Sequence, residues 1–269
     1  MTDGALRECQ LVQLRLLHVV DDLCCRHGLR YFLHGGTLLG AMRHNGFIPW
    51  DDDLDIGMPM PDYKKFLKIA RRELGDGMAL QLPKDAPHIS IPFAKVRDTG
   101  SFYCEVGQHM LASDPSGIYI DVFGFEKMPR LPLAVQHLLM KSISSPWMRQ
   151  RWLLAKATDH VLLSPLLALA AVACWAVHGV ARAFFGVIRQ LLPCDEYFLE
   201  LEKGDPCPFR IEWFEPFARH VFEDAEFSVP KDADACLRAS YGDWHVIPPP
   251  DERPSHARIV DPFRAAVEV

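Results

Sequence analysis

The stretch from Gly46 to Gly57, "GFIPWDDDLDIG", places four carboxylates, Asp51, Asp52, Asp53 and Asp55, within five positions. Two carboxylates about 4 Å apart repel by roughly 4 kcal/mol at an effective dielectric of about 20, so a folded chain must compensate them. A divalent cation is the economical compensator. Side chains on a strand repeat with period two, so a strand through this stretch would turn Asp53 and Asp55 to one face, as two ligands for one hard cation. Carboxylates with no Cys or His pair beside them favour Mg2+ or Mn2+ over Zn2+. Asp51 and Asp52 precede the predicted strand and would cap it or reach the metal through water. A calcium loop fits less well. Asp51, Asp53, Asp55 and Asp62 match ligand positions one, three, five and twelve, but Ile56 stands where the sixth position requires glycine. A solvated acidic turn with no ligand is the plainest alternative, and the apolar flanks speak against it.

Upstream, Gly35-Gly36-Thr37 sits where a short strand would turn into a helix. Glycines there let backbone N–H groups approach a phosphate, and the helix adds its positive end. Paired with the metal-binding aspartates, the turn reads as a cradle for a nucleotide phosphate. Asp121 in "GIYIDVFGF" is a lone acid in an apolar run, which is costly unless paired or ligated, and it is the candidate third metal ligand. An exposed edge-strand position is its alternative. Lys95 and Arg97 in "PFAKVRD" alternate onto one strand face and would neutralise phosphate or simply be solvated. Arg43, His34 and His44 lie near the turn, where phosphate contact and helix-end capping are both open. No Ser/His/Asp or Cys/His nucleophilic set declares itself.

The positioning elements can be read around these residues. Leu6, Leu14, Leu17 and Val20 predict an amphipathic helix over 5–27, ended by Gly28. "LRYFL" predicts a strand, 37–44 a helix, "LDIGM" a strand, and Pro61 the start of another helix. Strand-like runs follow at "MALQL", "ISIPFAKV", "SFYCEV" and "GIYIDVFGF", so the fold class is α/β (α+β), a mixed sheet flanked by helices. With 269 residues and a net charge of -6, the chain fits one elaborated domain and argues against a nucleic-acid partner. Eight cysteines without a C-x-x-C pair, and an N-terminus without a basic, apolar leader, lead to the expectation of reduced thiols in a cytoplasmic protein. Residues 161–192 are almost free of charge until Arg182. They are long enough to span a bilayer, but Ser164-Pro165, His178 and Gly179 weaken that reading; His178, Arg182 and Arg189 would suit a helix pair lying in a headgroup layer, and a buried hairpin is the third reading.

"FLHGGTLLGAMRHNGFIPWDDDLDIGM" resembles the signature of the LicD family of nucleotidyltransferase-like phosphotransferases. "PFAKVRD", "GIYIDVF" and the tail "VPKDADACLRASYGDW" are similar to that family's later blocks, in the same order. The resemblance implies transfer of a phospho-alcohol, such as phosphocholine or ribitol phosphate, from a CDP-linked donor to a sugar hydroxyl of a glycan or glycolipid. It further implies Mg2+ (or Mn2+) on Asp53, Asp55 and Asp121, with Asp121 alternatively the base, and donor phosphate on Gly35, Gly36 and Thr37. Nucleotidyl transfer to a small molecule, or non-catalytic binding, remain the alternatives. The implied organisation is a catalytic core over 1–130, a hydrophobic helical insertion over 131–215, and a C-terminal part of the same catalytic domain over 216–269. A shared domain disfavours a single span at 161–180 and leaves peripheral contact with a membrane's inner face.

Overall fold

The structure, a computed structural model, describes residues 3–83, 85, 93–105, 116–129, 131–159, 161–194, 197–200, 209–253 and 257–263. Cys207 and the run 89–92 of "ISIPFAKV" lie outside the described residues. The chain opens with α1 (Asp3–His27), β1 (Phe32–Leu33), α2 (Gly35–His44), β2 (Asp55–Pro59) and α3 (Met60–Glu73). Strands β3 (Met78–Gln81), β4 (Ala94–Asp98), β5 (Phe102–Glu105) and β6 (Tyr119–Met128) follow. Two long helices come next, α4 (Leu133–Asp159) and α5 (Ser164–Leu191), then β7 (Tyr197–Glu200) and β8 (Phe209–Arg210). The last elements are α6 (Ile211–Phe214), β9 (Ala218–Phe222), β10 (Ala225–Val229), α7 (Ala233–Tyr241) and β11 (Ala257–Asp261).

These elements form two compact units. The first gathers residues 1–82, 94–123 and 212–269; the second holds 83–93 and 124–211. In the first, the strands run in the order β1-β2-β6-β4-β3, antiparallel where β1 meets β2, β6 meets β4 and β4 meets β3. Every residue of β4 is buried, as are Ile118, Ile120, Val122 and Phe123 around the first half of β6. Helix α1 lies over this unit through Cys9, Leu14, Leu17, Val20 and Leu23, whose 3.6-residue recurrence makes one apolar face. Gly28 ends it with φ +61°, while the Leu29 N–H donates back to the Cys24 carbonyl at 2.9 Å. Pro61 stands in the first turn of α3, where the missing N–H is no loss, and Tyr63, Phe66 and Ala70 are buried beneath it. In the second unit, Met128, Leu139, Met140, Ile143 and Phe185 form a core between α4 and α5.

Three expectations change. Strand β2 begins at Asp55, so Asp53 stands in the connection before it and the alternation argument does not reach it. Residues 164–191 form a single continuous helix whose hairpin partner is α4, and only Ala171 and Phe185 are buried on it, so the buried-hairpin reading of 161–192 does not hold. The C-terminal segment folds into the same unit as the acidic loop, which is incompatible with a single membrane crossing between them.

Gly117 (φ +111°) shows how tightly the β4–β6 pair is joined: a Cβ there would fall far inside van der Waals distance of the Asp98 carbonyl oxygen. Gly77 (φ +83°) has open space around it. We therefore predict that Gly117→Ala destabilises the protein by about 3 kcal/mol or more, against about 1 kcal/mol for Gly77→Ala, in urea unfolding followed by circular dichroism.

Candidate active site

The acidic loop is fixed before its side chains do anything. Gln10 on α1 donates to the carbonyl of Asp51 at 3.0 Å, and Gln13, one turn on, donates to the carbonyl of Asp52 at 2.9 Å. Asp52 is itself buried. The Asp55 N–H donates to the Thr37 hydroxyl at 2.8 Å, and the His34 N–H donates to the Asp55 carbonyl at 3.0 Å. The loop's two ends are thus tied to α1 on one side and to the start of α2 on the other. Thr37 stands as a strut between the glycine turn and the loop.

That arrangement brings carboxylates onto the glycines. A Cβ on Gly36 would stand 2.7 Å from Asp51 Oδ2, and one on Gly35 would stand 3.0 Å from Asp55 Oδ2. Gly35 also has φ +55°, which disfavours any other residue. Both acids therefore lie against the first turn of α2, where unpaired N–H groups and the positive end of the helix dipole favour negative charge. The tip of α7 arrives at the same place, with the Tyr241 hydroxyl 3.8 Å from that Gly35 Cβ position. Its ring is half-exposed, but its hydroxyl turns in; burial, followed by the fields of Asp55, Asp51 and Asp53, pushes the phenol up from its ordinary value. On the other side of the loop, burial and then Asp52 and Asp53 push the Cys9 thiol up to about 12, leaving it protonated and inert at neutral pH.

The remaining expected site residues are placed differently. Lys95 and Asp121 face each other across β4 and β6, and the ammonium stands 2.7 Å from Asp121 Oδ1 and 3.3 Å from the centroid of the Tyr119 ring. Both residues are buried, so the charge that was expected to meet a phosphate meets a carboxylate inside the sheet. Arg97, also buried, donates to Gln81 and, at 2.6 Å, to the Gly117 carbonyl. Arg43 lies at the far end of α2, about 12 Å along the axis from Gly35 at 1.5 Å per residue. There it donates to the Trp244 carbonyl at 3.1 Å and to His44 at 3.0 Å, and burial lowers its pKa. Burial and the Arg43 charge also hold His44 below its ordinary range. His34 is the N-cap of α2, its ring against Phe32 and Phe123.

The expected ligand triad of Asp53, Asp55 and Asp121 is not assembled. Among the described residues no group of three His, Cys, Asp or Glu side chains stands in an arrangement that could hold a metal. The donors at the glycine turn are nonetheless all oxygen, and Mg2+ commonly takes only one or two protein carboxylates, with substrate phosphates and water completing its octahedron. The residues present fit that mode of binding, and they fit a closed protein cage poorly. Gln10, Gln13 and Tyr241 were not singled out from sequence. Their types carry no motif, and only the tail's likeness to a family block placed Tyr241 near the loop.

The first unit is a mixed α/β domain in which the glycine turn and the acidic loop meet beside the sheet. Residues 28–130 match the family model described as LicD/FKTN/FKRP, nucleotidyltransferase domain. It is 28% identical over 260 residues to the lipopolysaccharide cholinephosphotransferase LicD of Haemophilus influenzae, covering 93% of this chain and 96% of that protein. It is 46% identical over 48 residues to the ribitol 5-phosphate transferase FKRP of Homo sapiens, covering 18% of this chain and 10% of that protein.

The Lys95–Asp121 pair makes a test of structure against chemistry. Lys95→Met strands a buried carboxylate and should cost on the order of 3–5 kcal/mol in urea unfolding, whereas Lys95→Met with Asp121→Leu should recover most of that loss.

Proposed function

We propose that this protein transfers a phospho-alcohol, such as phosphocholine or ribitol phosphate, from a CDP-activated donor to a sugar hydroxyl of a glycan or glycolipid, with Mg2+ (or Mn2+) as cofactor. The observation that carries the reading is the seating of Asp51 and Asp55 against Gly35 and Gly36 at the start of α2, within the LicD-type domain. The names of the Haemophilus and FKRP relatives, a cholinephosphotransferase and a ribitol 5-phosphate transferase, support the class of group moved.

In this reading the start of α2 offers backbone donors to the donor diphosphate, and the glycines let that phosphate approach the main chain. Asp55 and Asp53, with Asp51 alongside, would hold the cation. When bound, it would supply charge neutralisation for the diphosphate and stabilise charge developing on the leaving phosphate. Gln10, Gln13 and Thr37 position the carboxylates through the backbone. Tyr241, its hydroxyl protonated at neutral pH and turned toward the acids, can donate a hydrogen bond to a bound phosphate oxygen. The Lys95–Asp121 pair stiffens the neighbouring strand: the Asp121 N–H donates to the Leu54 carbonyl at 2.8 Å, between Asp53 and Asp55.

The test is a calorimetric and thermal-shift titration with CDP-choline, CDP-ribitol, CDP-glycerol and CTP, each with and without Mg2+. A Mg2+-dependent gain with one CDP-alcohol is the expected result. Asp55→Asn should abolish that gain and reduce turnover at least a hundredfold while leaving the unfolding midpoint within a few degrees; a response to CTP alone would instead favour nucleotidyl transfer.

A further inference from the structure

Helix α5 is built inside out. Leu166, Leu169, Val172, Val180, Phe184 and Leu191 are all exposed, and at 100° per residue they occupy one face. Leu166, Leu169 and Val180 stand 68%, 68% and 71% exposed. On the opposite side His178 hydrogen-bonds the Ile143 carbonyl of α4 at 2.7 Å, and Arg189 is ion-paired with the buried Glu126 of β6. The side turned to α4 also buries Ala171 and Phe185, so α5 is apolar on both its packed and its exposed faces. Within this unit nothing described covers the apolar face, and an exposed apolar surface of this length marks a contact site.

The charge around it selects the partner. From 131 to 192 the chain carries six basic residues, Lys141, Arg149, Arg151, Lys156, Arg182 and Arg189, against one acid, Asp159, although the whole chain has a net charge of -6. Lys141 and Arg149 are exposed on α4. An exposed apolar face on one helix together with exposed basic side chains on its partner matches the chemistry of an anionic bilayer, which offers both acyl chains and phosphate headgroups. Crossing the bilayer is ruled out for each helix in turn. The segments before and after the hairpin fold into one unit, so α5 does not cross alone, and α4 carries basic residues along its length that a hydrocarbon core would not accept.

We infer that the α4–α5 hairpin is a monotopic membrane anchor that lays the exposed face of α5 into the surface of an anionic lipid bilayer. The inference stands on the second unit alone and does not depend on the donor or the metal of the proposed reaction.

The experiment is flotation of the full chain with vesicles of phosphatidylcholine, and of phosphatidylcholine mixed equally with phosphatidylglycerol, at low and high salt. The parent should partition onto the anionic vesicles roughly tenfold or more above the neutral ones, with the difference shrinking at high salt. Leu169→Glu with Val180→Glu, both at exposed positions, should lower that partition at least tenfold without changing the unfolding midpoint or the nucleotide titration. Recovery of the parent wholly in the soluble fraction with anionic vesicles would overturn the inference, as would a double variant that floats like the parent. A concentration-dependent dimer dissolved by the same two substitutions would also overturn it, by assigning the face to a second copy.

Discussion

The first unit depends on how four neighbouring carboxylates are held. Their mutual repulsion is met first by geometry: two glutamines of α1 take up the loop's carbonyls, and Thr37 takes up the N–H of Asp55. The backbone is thereby fixed independently of the side chains. With it fixed, Asp51 and Asp55 fall against the one local structure that welcomes anions without a cation, the first turn of a helix. Glycine at 35 and 36 follows from this contact, because any side chain there would occupy the space of a carboxylate oxygen. The turn that looks like a phosphate cradle is therefore also the carboxylates' own counterweight, and a substrate phosphate would share that field with them.

The buried charges of the sheet solve a related problem by another route. Lys95, Arg97 and Asp121 all lie on strands covered on both sides, and each is satisfied internally, by a carboxylate, an amide, a carbonyl or an aromatic face. Such pairs add little net stability over apolar residues of the same volume, but they are strongly destabilising when half removed. Here they bind β4 to β6 in one register. Because the Asp121 N–H also donates to the Leu54 carbonyl, that register is passed on to the loop that carries the acids.

The parts legible in the sequence were those whose physics is local. A glycine pair before a helix, a run of aspartates and a proline at a helix start each declare themselves within a few residues, and the structure places α2, β2 and α3 accordingly. Alternation put Lys95 and Arg97 on a common face but could not say whether that face meets solvent or interior, because this depends on elements distant in the chain. Asp53 was assigned to a strand that begins two residues later. Helix α4 was illegible for a different reason: it runs unbroken through Pro146, where a sequence reading expects a helix to stop, and its burial follows α5, which a single-sequence periodicity cannot see. Arg43 was near the turn in sequence, yet a helix carries it a helix-length away.

Tyr241 reaches Gly35 across some two hundred intervening residues, and the first unit is stitched from three separate stretches of chain. The hairpin of α4 and α5 is by contrast local and can form as soon as it is made. The two helices need only each other, while the place where Tyr241 meets Gly35 needs residues far apart in the chain to come together. Contacts of such sequence separation form slowly, so the acidic loop gains its last neighbour late in folding while the helical arm does not wait for it.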